Sequence, residues 1–324
     1  MNSNFRNSKV INRFTLSPLL LATVLWASPT LQVKAVTTGK TFASPDDAVK
    51  ALTTAVENRD SNALANIFGP NFKEIESPDP VQTKEEIATL GERLKEGTRL
   101  ERNGNNQYTV DIGRDQWPFA VPIVQKGGSW FFDTDSGKEE VINRRIGRNE
   151  LDALKSVRAY DDAQREYASK DRNGDQVLEY AQKFVSSPGK KDGLYWSPDL
   201  GEGESPLGPL FVQAHGEGYS IKRTSQNASA GQSRQPFHGY YFKILTRQGR
   251  SAPGGAYDYI INGHMIGGFA LVAWPAEYGE TGVMTFIINQ QGKVYQKDLG
   301  QKTESIAEKM KTYDPDSTWT LSRE

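Results

Sequence analysis

The sequence predicts an α+β protein, because helical and strand patterns occupy separate stretches of the chain. Residues 44–97 carry apolar side chains at helical spacing behind capping residues. From Tyr108 the apolar period changes to two, and "FAVPIVQKGGSWFFDT" has a glycine turn between two β-prone runs. Short β-prone segments bounded by turns recur between residues 239 and 299. We therefore expect helices, then a curved antiparallel sheet, and a second antiparallel sheet near the end.

Three helices are expected in the first part of the chain. "SPDD" at 44–47 supplies a hydroxyl cap, a first-turn proline and acidic residues at the positive end of the helix dipole. A short second helix ends at Gly69, and "TKEE" at 83–86 has the capping-box pattern that starts the third. A last amphipathic helix is expected at 303–313.

The first 35 residues have the features of an export signal. Arg6, Lys9 and Arg13 precede a mostly apolar run at 16–27, and "VKA" at 33–35 fits the pattern before a signal-peptidase cut. An uncleaved anchor is the alternative, but this run is short against the roughly 20 residues that span a bilayer. We therefore expect a signal peptide and a periplasmic or extracellular protein without a stable membrane span.

Removing that segment leaves a moderately acidic chain without any thiol. The chain has 39 Lys and Arg against 40 Asp and Glu, and four of the basic residues lie in the signal, which leaves 35 against 40, or −5. This charge gives no electrostatic basis for binding nucleic acid. Because cysteine is absent, disulfides, a thiol nucleophile and cysteine-ligated zinc are excluded.

An acidic loop lies between two expected helices, at 148–170 and 177–187. Against a twelve-residue EF-hand loop, positions 1, 3, 5, 7 and 9 carry ligand-type residues. These residues are Asp171, Asn173, Asp175, Val177 through its carbonyl, and Glu179. No cofactor is predicted, and calcium is the one candidate that the spacing offers.

Two residues depart from the calcium-loop pattern. Gln176 stands where the sharp turn needs glycine, and Gln182 stands where a bidentate glutamate closes the cage. We therefore prefer a solvated turn, in which Asn173 and Gly174 supply left-handed backbone and the acids bond local amides. Calcium binding is the alternative.

The histidines and glycines give no recognisable catalytic motif. His215, His238 and His264 are separated by 23 and 26 residues, without the paired spacing of zinc ligands on a helix. The glycine-rich run at 248–268 lacks the lysine of a phosphate-binding loop. Ser251 is not in a nucleophile elbow of the G-x-S-x-G type.

Paired acids are the remaining catalytic alternative. Glu202 with Glu204, or Glu277 with Glu280, could serve a hydrolase acting on glycan. Tyr278 and Trp274 would then form a sugar platform. Both pairs lie in Gly- and Pro-rich turns, where solvated carboxylates are common.

Two parts of the chain resemble known folds. Residues 36–147, with "GGSWFFDT" near their end, resemble the nuclear-transport-factor-like cone fold, which implies an interior pocket near Asp111, Asp115 and Trp117. The alternative is that the aromatic residues of this region pack ordinarily in the sheet and core. These residues are Trp117, Trp130, Phe131 and Phe132. Residues 188–324, with "GYYFKIL" and "GETGVMTFIINQQGKVY", are similar to the globular part of type IV pilin-like proteins. Residues 148–187 would then be connecting helices that carry the acidic loop.

Nearly the whole chain after the signal resembles one family. "DGLYW", "SPLGPL", "APGGAYDYIINGHMIGGFALVAWPAEYGETGVMTF" and "DPDSTW" are similar to the secreted bacterial family numbered 2950 in the domain-of-unknown-function series. The resemblance implies the architecture and leaves the activity open. We expect a non-catalytic binding or interaction module for an envelope protein or polymer. A glycan hydrolase and a calcium-stabilised structural protein are the alternatives.

Overall fold

A computed structural model describes residues 38–201, 203–219 and 235–323. Within these ranges it contains seven α-helices and several antiparallel sheets, which confirms the predicted α+β class. The expected signal peptide and Glu202 lie outside the described residues. Among the helices of the described ranges, none combines the length and apolar character that a membrane crossing needs.

The first part of the chain forms four helices that begin at side-chain caps. They are α1 (Pro45–Glu57), α2 (Ser61–Phe68), α3 (Phe72–Ile75) and α4 (Pro80–Glu96). Ser44 Oγ accepts from the Asp47 amide, as the sequence predicts. The predicted start of the third helix at Thr83 is wrong, because the Asp79 carboxylate already accepts from the amides of Val81 and Gln82.

A five-stranded antiparallel sheet follows these helices. Its strands are β1 (Thr98–Arg102), β2 (Gln107–Ile112), β3 (Trp117–Pro118), β4 (Ile123–Lys126) and β5 (Ser129–Phe132). The order is β1-β2-β4-β5, and β3 pairs with β2. The β4–β5 pair is the predicted hairpin, and both of its turn glycines have positive φ. Helices and sheet bury a first core around Leu52, Ile112 and Phe132.

One long helix, α5 (Thr134–Tyr167), connects two hydrophobic cores. It starts earlier than the predicted residue 148, because Asp133 caps the amide of Ser136. Val141, near its start, packs against the first core, whereas Val157 and Tyr160 lie in the second.

The helix predicted at 177–187 is wrong, because this segment is extended. Tyr180 forms a bridge with Met265, and Val185 forms one with Tyr195. The side-chain amide of Gln164, on α5, also bonds both the N–H and the carbonyl of Ala181, at 2.8 Å each. These long-range bonds replace the helical ones that the local composition favours.

The described residues of the second part form α6 (Gly208–Glu217), α7 (Thr303–Lys309) and ten strands. The strands are β6 (Tyr240–Leu245), β7 (Arg247–Gln248), β8 (Tyr257–Asp258), β9 (Ile260–Ile261), β10 (His264–Met265), β11 (Ala270–Pro275), β12 (Met284–Asn289), β13 (Tyr295–Asp298), β14 (Thr312–Tyr313) and β15 (Thr320–Leu321). The main sheet is antiparallel in the order β15-β13-β12-β11-β6, and α5 packs on it. β9 and β10 form a separate hairpin.

Two polar residues of α5 bond both parts of the chain. The fully buried Asn149 accepts from Gln82 Nε2 at 2.5 Å and donates to the carbonyl of Thr281 at 2.9 Å. One turn earlier, the buried Arg145 donates to the carbonyl of Ile75 and lies 3.9 Å from Glu280. The two parts are therefore joined by directed hydrogen bonds as well as by the helix itself.

Candidate metal centre

The acidic loop after α5 is held by its own backbone amides. Asp171 Oδ1 accepts from the amides of Asn173 and Gly174, at 3.2 and 2.7 Å, and Oδ2 accepts from Gln176 at 2.8 Å. The amide of Gln176 is the main reason that the pKa of Asp171 lies below its ordinary value. Gly174 and Gln176 have positive φ of 77° and 67°. The turn therefore keeps Gln176 in a left-handed conformation that usually favours glycine.

Asn173 bonds the two acids that follow it. Its side-chain Nδ2 donates to Asp175 Oδ2 at 2.6 Å and to Glu179 Oε1 at 2.9 Å. The other oxygen of Asp175 accepts from the Val177 amide at 2.8 Å. One carboxylate oxygen of Asp175 and one of Glu179 are in this way directed to the same side of the loop.

His264 reaches this side from the β9–β10 hairpin. Its Nδ1 lies 3.2 Å from Glu179 Oε2 and 3.5 Å from Asp175 Oδ2. Asn262 and Gly263 form the hairpin turn with φ of 52° and 91°, the conformation of an Asn-Gly turn between antiparallel strands. Gln182 Nε2 also donates to the carbonyl of Gly263 at 2.7 Å. Strand pairing and this bond together fix the imidazole beside the loop.

We call Asp175, Glu179 and His264 the candidate metal centre. Each offers one ligand atom, and these atoms lie within 4.8 Å of one another. Ligands bound at about 2.0–2.2 Å in tetrahedral geometry are roughly 3.3–3.6 Å apart, which the separations of 3.2 and 3.5 Å from Nδ1 approach. Two carboxylate oxygens and one imidazole nitrogen form a donor set that suits a divalent metal ion.

The structure brings together two of the five residues suggested by the calcium-loop spacing. Asp175 and Glu179 contribute to the centre, whereas Asp171 and Asn173 shape the loop around it. Val177 donates its amide to Asp175. The spacing did not predict His264 as their partner, because the bridge between Tyr180 and Met265 joins segments 85 residues apart. The Asn262-Gly263 turn was the one local signal of the hairpin that carries it.

The other two histidines lie elsewhere. His238 Nε2 is 3.1 Å from Glu217 Oε2, and His215 is exposed on α6. Neither belongs to the cluster formed by Asp175, Glu179 and His264.

One acid suggested for glycan hydrolysis, Glu280, and the aromatic residue suggested as a sugar platform, Trp274, are engaged within the fold. Glu280 points toward the buried Arg145, and the backbone amide of Glu277 donates to Thr281 Oγ1 at 3.0 Å. Trp274 is fully buried and packs against Tyr241, so its face cannot stack on a sugar.

The residues suggested for a cone pocket form pairs at the sheet. Asp111 is buried and accepts from Arg99 at 3.0 Å, and Asp115 pairs with Arg93 at 3.2 Å. The guanidinium of Arg144 lies 4.3 Å from the centre of the Trp117 ring. Trp117 is 40% exposed, so it lies at the surface with its face covered by a cation.

The chain is thus an α+β protein with a cluster of two carboxylates and one imidazole, formed by the acidic loop and the β9–β10 hairpin. A family model described as "Protein of unknown function (DUF2950)" matches residues 39–321, so the chain belongs to this family. This match confirms the family resemblance seen in the sequence. No curated protein and no solved structure matches the chain, and the likenesses to the cone and pilin folds stay predictions.

Proposed function

We propose that the protein is an exported, non-catalytic binding module of the cell envelope, and that it holds a divalent cation at the candidate metal centre. The basic and apolar pattern of the first 35 residues supports export. The contacts of Glu280 and the burial of Trp274 favour binding over glycan hydrolysis.

The observation that supports a bound cation is the close approach of ligand atoms from Asp175, Glu179 and His264. Two carboxylates that face the same point repel each other unless positive charge offsets them. Asn173 contributes two hydrogen bonds but no charge, and a bound cation would offset the charge of both carboxylates. It would also join the loop to the β9–β10 hairpin.

The imidazole determines which cation fits. Calcium takes oxygen ligands, whereas zinc and other first-row ions accept nitrogen together with oxygen. His264 Nδ1 is nearer to both acids than any other nitrogen that can bind a metal in the described ranges. A zinc-type ion therefore fits this donor set better than the calcium ion suggested by the loop spacing.

Thermal unfolding tests the proposal. After chelator treatment, zinc at about 100 times its dissociation constant should stabilise the wild-type chain by about 2.7 kcal/mol, since an ion that binds the folded state shifts the equilibrium toward it. His264→Ala and Asp175→Asn should lose this gain. His215→Ala, which removes an exposed histidine outside the centre, is the matched control and should keep it.

Two outcomes would contradict the proposal. Equal stability with zinc and with chelator would show that the folded chain binds no zinc ion. If calcium stabilises the chain and His264→Ala keeps this effect, the ion would be bound by the oxygen ligands of the loop alone.

A further inference from the structure

The candidate metal centre supplies three ligands where a zinc-type ion takes four. Asp175, Glu179 and His264 each offer one ligand atom, and among the described residues no further His, Asp or Glu side chain joins this cluster. A zinc site with three protein ligands keeps its fourth position for another group. Asp171 does not fill it, because loop amides bond both of its oxygens. The fourth ligand therefore has to come from outside this cluster.

A group in solution can reach the ligand atoms. The side chains of Asp175 and His264 are each about one third exposed. In the described part of the chain, neither Asp175 nor Glu179 has an ion-pair partner other than His264. An incoming ligand can thus approach the ion without breaking an ion pair of the acids with a lysine or an arginine.

Exposed aliphatic side chains adjoin the centre on both segments that supply its ligands. Leu178 immediately precedes Glu179 and is 60% exposed. Ile261 is 45% exposed and lies directly opposite His264 in the β9–β10 pair, so their side chains point to the same face of the hairpin. Ile266 is equally exposed, and its amide donates to the carbonyl of His264 at 3.0 Å. We call Leu178, Ile261 and Ile266 the aliphatic rim.

The aliphatic rim indicates that the fourth ligand belongs to a protein. Single exposed aliphatic residues are common on protein surfaces, but a group of them beside polar residues is typical of a contact with another protein. A water molecule at the fourth position would leave the rim exposed. A side chain with apolar neighbours would cover it.

The charge of the metal-loaded centre indicates which side chain fits. A divalent ion offsets the two carboxylates, and the imidazole of His264 adds no charge. A carboxylate or thiolate from a partner would add negative charge to a loop that already holds Asp171 in its ionised form by amide hydrogen bonds. A second imidazole adds none and is a common ligand of zinc-type ions. Histidine is therefore the donor that suits the fourth position.

We propose that a histidine of a partner protein completes the coordination of the ion, and that apolar residues beside this histidine contact the aliphatic rim. The inference rests on the proposed function, since it requires the bound ion, and it names the chemistry of the partner. The chain then holds this partner only when it is loaded with metal.

Three capped tripeptides test the inference, each with leucine on both sides of a central histidine, aspartate or glutamine. In calorimetric titrations the zinc-loaded chain should bind the histidine peptide at least tenfold more tightly than the other two, because imidazole alone adds a ligand without adding charge. Chelator and His264→Ala should each abolish this difference. In the cobalt-loaded chain, the histidine peptide should also change the visible absorption of the ion, which depends on its coordination.

Variants of the aliphatic rim separate contact from coordination. Leu178→Ser and Ile261→Ser leave the three ligands in place, so both should keep the zinc response of the wild-type chain. Each should weaken the histidine peptide several-fold. Leu321→Ser is the matched control and should not change the affinity, because it replaces an exposed leucine of β15, in a different sheet from the β9–β10 hairpin.

The outcomes distinguish this inference from the proposed function. If the wild-type chain retains zinc but binds the histidine and glutamine peptides equally, the inference is wrong and the metal centre stands. The same holds if the aspartate peptide binds as tightly as the histidine peptide, or if Leu178→Ser and Ile261→Ser both leave the affinity unchanged. A wild-type chain that retains no zinc would contradict the metal centre and this inference together.

Discussion

Asp171 determines the shape of the acidic loop through backbone amides alone. Its two oxygens accept three amide hydrogen bonds from within the next five residues. The residue types of the loop were sufficient to predict a turn with these acids bonded locally, as the alternative to an EF-hand suggested. The same residue types did not identify the carboxylates that would remain available for a ligand.

We expect the pKa of Asp171 in the folded chain to lie below the ordinary aspartate value of about 3.9. The Gln176 amide is the largest cause, because it stabilises the ionised carboxylate. Since the folded-state pKa is lowered, Asp171 contributes stability above its unfolded-state pKa, and this is lost as the pH falls through the folded-state value. A carbon-detected NMR titration measures this pKa, with the urea-unfolded chain as reference. Equal values in the two states would show that the amides of the loop do not hold the carboxylate.

At the scale of elements, α5 is the part of the chain that fixes the two cores against each other. Its amphipathic pattern was readable over 148–170, but its start at Thr134 depended on the Asp133 cap just after β5. The extended conformation of residues 177–187 could not be predicted from the local sequence, because it depends on bonds to Gln164 and on a bridge to Met265. Local composition predicts an element well when its bonds are local and poorly when they come from distant residues.

Asn149→Ala should destabilise the protein by about 2–6 kcal/mol. The change leaves the buried Gln82 amide and the carbonyl of Thr281 each without a partner, and an unsatisfied buried group costs about 1–3 kcal/mol. Urea unfolding gives the free-energy difference. Asn143→Ala, an exposed position on the same helix, is the control and should change stability by less than about 0.5 kcal/mol. An equal and small effect of both changes would mean that the buried amide is not important for joining the two parts.

For the whole molecule, the sequence was sufficient to predict the α+β class, the order of helices and strands, and the family. Alternation and turn residues indicated the main strands of both sheets. The sequence predicted only part of the candidate metal centre. The loop spacing identified Asp175 and Glu179, but no pattern linked them to His264.

Metal content shows whether Asp175, Glu179 and His264 bind an ion. The chain, freed of ions by chelator and dialysed against zinc, should retain about one zinc ion when analysed by inductively coupled plasma mass spectrometry. His264→Ala should retain none above the buffer blank, whereas His215→Ala should match the wild type. Retention of the same amount of zinc by His264→Ala, or of none by the wild-type chain, would contradict the proposal that Asp175, Glu179 and His264 form a metal centre.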